Sequence, residues 1–153
     1  MEKLMLKQIM SNERLQENYT LVSSIKGIAL INTVAILVAT QNFSRFENSR
    51  QFACYTGMAP FCRQSGTSIH SQPRVSRLAD KKLKALLTQA AQCAIRHDPN
   101  VKKYYERKLE EGKNKCLIVN NVRNKMIHRI FAVVRTKQLY QVDFYNPPNK
   151  TVA

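Results

Sequence analysis

Apolar positions along this chain fall mostly three and four residues apart, the period that lays one apolar stripe on a helix. The clearest stripe is Leu83, Leu86, Leu87, Ala90, Ala91 and Ala94. Asp80 opens it as an N-cap or first-turn anion, and His97-Asp98-Pro99-Asn100 closes it, because a residue before proline disfavours helical backbone angles. A second stripe, Val119, Val122, Met126, Ile130 and Val133, predicts a helix from about Lys115 to Arg135. Arg123, Lys125, Arg129 and Arg135 lie mainly off that stripe. Between the two, Val101 to Glu111 reads as a short helix closed by Gly112, with Tyr104, Tyr105 and Leu109 available for packing.

The first half of the chain is read in the same way. Residues 1–22 are helical, with Leu4, Ile9, Leu15 and Leu21 among charges in an incomplete heptad pattern, as in the end of a linking helix or coiled coil. Ser23 or Ser24 caps the approach to an apolar helix that runs to about Thr40, and Gly27 supplies a tight turn with positive φ. The Ile25-Lys26-Gly27-Ile28-Ala29 turn fits two readings. One is a helix-hairpin-helix unit whose amides face a phosphate, although Ala29 stands where a second glycine is usual; the other is a purely structural helical turn. Asn48 to Tyr55 is a short helix ending at Gly57. Ala59 to Val75, with its prolines and Ser/Thr residues, is a loop or irregular hairpin containing Ser65-Gly66. The fold class is mainly α: one compact helical domain over residues 23–140, followed by a flexible tail, 141–153, with Pro147-Pro148.

Charge narrows the partners. The chain carries 25 Lys and Arg against 10 Asp and Glu, a net charge of +15. Phe61 to Lys137 holds 18 of the basic and only 5 of the acidic residues, so the surplus sits in that half. Such concentration points to a polyanion, with nucleic acid ahead of an anionic membrane surface. The most apolar run, Ile28 to Ala39, is too short to span a bilayer, which needs roughly 20 residues. Without a signal-like leader at Met1 to Met10 the expected location is the cytoplasm. Cys54, Cys62, Cys93 and Cys116 form no metal-ligand spacing, so free thiols and no zinc are expected.

Several chemistries fall away. None of His70, His97 and His128 stands in a triad-like motif; His97 reads as a helix-end residue and His128 as a surface or phosphate-facing group. No pair of acids is spaced to hold two metal ions, and no phosphate-binding loop of the Walker type is present. Tyr104-Tyr105, among Lys102, Lys103, Arg107 and Lys108, suits either base stacking or core packing, and packing is the more common arrangement. What remains is a loop hydroxyl next to a bank of cations.

The order of these residues then matches a pattern. Ser24-Ile25-Lys26-Gly27-Ile28, Asn42-Phe43-Ser44-Arg45-Phe46, Ala53-Cys54-Tyr55-Thr56-Gly57-Met58-Ala59-Pro60, Gln64-Ser65-Gly66-Thr67-Ser68, Ser76-Arg77-Leu78-Ala79-Asp80-Lys81-Lys82-Leu83-Lys84 and Tyr104-Tyr105-Glu106-Arg107 follow one another. Over Leu21 to Tyr140 the chain resembles the C-terminal domain of bacterial insertion-sequence transposases of the one-ten/one-sixteen/nine-oh-two group. The resemblance implies a partner RuvC-like domain bearing a DEDD set of metal-binding acids, with magnesium expected there and no cofactor in this chain. It also implies a serine like the nucleophile of serine recombinases, which falls on Ser65, with Ser68 the alternative. Arg63, Arg74 and Arg77 would offset charge at the phosphate. This chain departs from the pattern at Ala79, where a glycine is frequent.

The resemblance sets the functional expectation: DNA transposition by a DNA-binding, strand-transfer domain that is inactive without its RuvC-like half. The alternative is a non-catalytic nucleic-acid-binding or regulatory remnant. Met1 falls within what would be the linking helix, so a C-terminal fragment, a split partner or the product of a decayed element is expected. The candidate DNA contacts are Lys26, Gly27, Arg63, Arg74, Arg77, Lys81, Lys82, Lys84, Arg123, Lys125 and Arg129, and no metal ligand is assigned. Expected partners are DNA, a structured guide RNA, and either a second copy of the chain or a separate RuvC-like chain; a membrane is not among them, and the expected setting is the bacterial nucleoid.

Overall fold

The computed structural model describes residues 2–59 and 79–142, together with the backbone of Gln64–Ser65 and Ile69–His70. Within them seven helices form, in the order α1 (Glu2–Met10), α2 (Glu13–Ser23), α3 (Leu30–Ala39), α4 (Ser49–Tyr55), α5 (Lys81–His97), α6 (Pro99–Glu110) and α7 (Lys115–Thr136). A ribbon of two very short strands, β1 (Gln64–Ser65) and β2 (Ile69–His70), lies between α4 and α5. The mainly α class follows from the three-and-four spacing, and the capping chemistry sets most boundaries. Asp80, Asp98, Asn48 and Asn12 each accept a hydrogen bond from an amide in the first turn of α5, α6, α4 and α2.

The centre is α7. It packs against α2, α4, α5 and α6, and Ile118, Val122, Met126, Ile127, Ile130 and Val133 are buried along it. Burial of an apolar side chain of this size stabilises by about 1.5–3 kcal/mol, so this helix anchors the core. Opposite it, Ala90, Ala91 and Ala94 of α5 are buried and small enough for close approach. The connection from α2 to α3 uses that space. Gly27 has φ +95°, and a Cβ there would lie 2.5 Å from the carbonyl oxygen of Ala90 and 2.8 Å from the nitrogen of Ala94. Glycine is required twice over, by its backbone angle and by contact with a neighbouring helix.

Three local outcomes differ from the sequence reading. Residues 1–22 do not form one helix: Ser11 and Asn12 separate α1 from α2, because the Asn12 side chain takes the Leu15 amide at 3.2 Å and starts a new helix. α1 then folds back on α2. Ser23 and Ser24 do not cap the next helix; Ser24 ends α2, and Ala29 precedes α3 with no side-chain cap. The segment around Ser65, by contrast, follows its reading as an irregular hairpin, with Gln64 paired antiparallel to His70 and Ser65 to Ile69. Finally, Val142 is tied to the domain, because the Asn100 side-chain amide donates to its carbonyl. Residues 143–153 of the expected tail lie outside the described residues.

Candidate nucleic-acid interface

The segment bearing Ser65 leaves and rejoins the helical body at one place. At its start, the amides of Met58 and Ala59 both donate to the Ala53 carbonyl, at 2.8 and 3.2 Å. At its end, the Asp80 amide donates to the Tyr55 carbonyl at 3.1 Å. Ser65 therefore sits on a ribbon whose ends are clasped between the last turn of α4 and the first of α5. Arg63, Arg74, Arg77 and Ser68 lie outside the described residues.

The first turn of α5 places Lys81 and Lys82 in solvent and Lys84 half-buried. Asp80 Oδ1 accepts the Leu83 amide at 2.9 Å and holds the turn in register. Cations at a helix N-terminus oppose its dipole and cost a few tenths of a kcal/mol each, up to about 1. An anionic partner reverses the sign of that cost, since the same free amides and lysines then face a phosphate. Lys26 is also exposed, on the turn before α3. Gly27 beside it faces α5, with its Cα against the Ala90–Ala94 backbone.

The three candidates on α7 part company. Arg123 is half-buried and donates to Thr88 Oγ1 of α5 at 2.9 Å and to Asn120 Oδ1 at 3.0 Å. Arg129 donates to Asp98 Oδ2 at 3.0 Å, and its guanidinium lies 4.9 Å from the centre of the Tyr140 ring. Asp98 is fully buried and serves four donors: the amides of Asn100 and Val101, Arg129, and the Tyr140 hydroxyl at 2.8 Å. Its charge needs the arginine, because an unpaired buried carboxylate is costly. Burial, and then the Asp98 hydrogen bond, push the Tyr140 phenol up to about 12. Both arginines thus brace helices to one another. Only Lys125 of this group stays exposed.

Lys125 marks a second basic surface. Its Nζ stands 3.6 Å from the centre of the Tyr104 ring, and Arg107 approaches the same ring at 5.7 Å. Tyr104 packs partly buried against the core, so cations rather than bases occupy its face. Partial burial lowers the Lys125 pKa first, and the nearby charges of Arg129, Arg107 and Lys108 lower it further. Exposed ion pairs such as Lys102–Glu106 and Lys108–Glu111 dilute the surplus along α6. Among the described residues no three His, Cys, Asp or Glu side chains come together as metal ligands. Nor is any described helix long and apolar enough to cross a membrane.

Two features escaped the sequence reading. The pairing of Asp98 with Arg129 spans 31 positions, and only the Asp-Pro helix start was visible locally. The other is the turn after α3, where Gln41, Asn42 and Phe43 all take positive φ, at 50°, 55° and 64°. No glycine announces it. Thr40 Oγ1 accepts the Phe43 amide at 3.1 Å, and Asn42 Oδ1 accepts from the Asn18 side chain at 2.8 Å.

The family model described as "Transposase IS116/IS110/IS902 family" matches residues 19–106. A "Pilin gene-inverting protein" of Moraxella bovis is 31% identical over 122 residues, which cover 79% of this chain and 38% of that protein. The "Insertion element IS110 uncharacterized 43.6 kDa protein" of Streptomyces coelicolor is 27% identical over 120 residues, covering 78% of this chain and 29% of that protein. The insertion element IS900 42 kDa protein of Mycobacterium paratuberculosis is 28% identical over 121 residues, 30% of its length. The chain therefore spans well under half of each of these relatives.

Proposed function

The chain belongs to the IS116/IS110/IS902 family of transposases, and from that membership we propose that it is a DNA-binding, strand-transfer part of a DNA recombinase. The carrying observation is the clasp: it brings both ends of the Ser65 segment to the start of α5, where Lys81 and Lys82 are solvent-exposed. In this reading Lys26, Lys81, Lys82, Lys84 and Lys125 hold the phosphate backbone, helped by Arg63, Arg74 and Arg77. The Ser65 hydroxyl attacks a strand phosphate. A serine–phosphate bond forms, the phosphate–sugar oxygen bond breaks, and the departing sugar oxygen takes up the proton the serine gives up. The phosphodiester energy stays in the covalent link, so a strand hydroxyl reverses the step at a new partner. Cations around the phosphate offset the charge that builds in the transition state.

In this reading magnesium and the acids that hold it belong to a RuvC-like partner domain. The isolated chain then binds DNA and does not cleave it. With such a domain and magnesium supplied in trans, a covalent protein–DNA adduct forms that survives denaturing electrophoresis. Ser65→Ala abolishes the adduct and leaves DNA affinity within a few-fold, because one hydroxyl contributes only about 1 kcal/mol to binding. An adduct that persists in Ser65→Ala and disappears in Ser68→Ala transfers the role to Ser68. An adduct unaffected by either change leaves a nucleic-acid-binding protein without strand-transfer chemistry.

A further inference from the structure

The strained turn after α3 and the far end of α7 enclose a groove of about 530 Å³ that the strand-transfer reading does not use. Phe43, Phe46 and Phe131 form its apolar wall. Phe43 and Phe131 meet edge to face at 5.2 Å, and Phe46 rests on Phe52 and Tyr55. All three wall rings are half-buried, so each keeps part of its surface in solvent. His128 and Arg135, both exposed and two turns apart along α7, supply the basic side of the groove, while Glu47, Asn48 and Ser49 line it from the start of α4. Ser49 Oγ lies 2.8 Å from His128 Nδ1. With Ser49 donating, the imidazole carries its proton on Nε2, which leaves that nitrogen as a hydrogen-bond donor.

Three left-handed residues in a row, none of them glycine, are costly. The structure holds them with Thr40, Asn18 and the Phe43–Phe131 contact. Their effect is to turn the chain sharply and bring Phe43 and Phe46 to the same groove. Backbone strain of this kind gathers at ligand sites, and the groove volume lies in the range of about 300–1,000 Å³ found for small ligands. Aromatic surface suits the face of a base, because every base has a π-face. The Arg135 cation at the rim, joined by His128 Nε2–H in the tautomer where Ser49 donates, suits the phosphate of the same nucleotide.

We propose that this groove holds one unstacked nucleotide, with its base against Phe43, Phe46 and Phe131 and its phosphate at Arg135 and His128. This inference rests on the nucleic-acid reading above and adds a second contact, distinct from the phosphate-holding lysines. It predicts that the protein prefers strands with an unpaired position to fully paired ones. The chemistry is shared by DNA and RNA, so both are used as probes.

The test titrates the full chain with a paired 20-mer duplex and with the same duplex carrying one unpaired nucleotide, in all-DNA and all-RNA forms. The unpaired form is expected to bind about tenfold more tightly, a ratio within the energy of stacking one base. A preference confined to one backbone assigns the nucleotide to that nucleic acid; a preference in both supports recognition of the base and phosphate alone. His128→Ala and Arg135→Ala, both at exposed positions, are expected to cut the ratio to below threefold. Independently of any variant, 5-iodouracil at the unpaired position should photocross-link to Phe43, Phe46 or Phe131 in the wild-type chain. Binding with no preference, a ratio untouched by both substitutions, or cross-links elsewhere overturns the groove proposal alone. Failure to bind any of the four probes overturns the nucleic-acid reading with it.

Discussion

Lysines at the start of α5 and arginines in the middle of α7 look alike along the chain: both are cations beside an apolar helical stripe. Their fates are opposite. Lys81 and Lys82 stand in water with no acid partner among the described residues, whereas Arg123 and Arg129 point between helices and end on Thr88, Asn120 and Asp98. The difference lies in the neighbours. Lys81 and Lys82 stand on the outer side of the first turn of α5, which the Asp80–Tyr55 bond ties to α4, but α7 is packed against α2, α4, α5 and α6. A cation in that setting has either to reach the surface or to find acceptors inside, and a planar guanidinium with five donors suits the second course. Positive charge on a central helix therefore reports on packing as much as on partners.

The comparison can be broken most sharply at Arg129. Replacing it by Met leaves Asp98 buried without its cation, and the expected loss of stability is about 3–5 kcal/mol, read from urea midpoints. Affinity for DNA, measured where the variant is still folded, should change little. A stable variant that binds DNA poorly would instead move Arg129 to the outward group.

Gly27 gives the next largest effect. Ala there meets the Ala90 oxygen at a distance no Cβ tolerates and must also hold φ +95°. A loss of about 2 kcal/mol is expected by thermal unfolding. Full stability with weakened DNA binding would show a phosphate contact rather than a packing contact.

Reversing Lys81, Lys82 and Lys84 to Glu tests the outward group. The slope of log affinity against log salt should fall by about 3, near one per lost phosphate contact. Stability should hold or rise by a few tenths of a kcal/mol, because acidic residues favour a first helical turn. An unchanged salt slope would remove α5 from the interface.

The smallest effect concerns Tyr140. Its phenol is raised from the ordinary tyrosine value to about 12 in the folded chain, so the folded state holds that proton more tightly. Its contribution is complete below pH 10 and is lost as pH rises toward 12. Tyr140 is partly solvated, so the loss should stay below about 1 kcal/mol after screening. Subtracting the pH profile of Tyr140→Phe, which cannot ionise, isolates it from lysine titration. Identical profiles would show that the Asp98 hydrogen bond does not persist in solution.

Much of the architecture was legible from local pattern. The stripes of α5 and α7, the Asp80 cap, and the stops at Pro99 and Gly112 lie where spacing and capping chemistry put them. Asn12 shows the limit. A single asparagine between two apolar repeats can stay inside a helix or cap a new one, and the fold-back of α1 on α2 accompanies the second outcome. The left-handed turn at Gln41–Phe43 was illegible because its stability comes from Asn18 and Phe131, distant in sequence. The site divides in the same way. Exposed lysines could be read from charge alone, but the inward course of Arg129 depended on a carboxylate 31 positions earlier.

The bond from the Asp80 amide to the Tyr55 carbonyl bears on how the domain can vary. Once two points are joined, the entropy of the chain between them grows only with the logarithm of its length, so doubling that length costs about 0.6 kcal/mol. A change in the length of the connection between α4 and α5 is therefore expected to cost the helical body little stability.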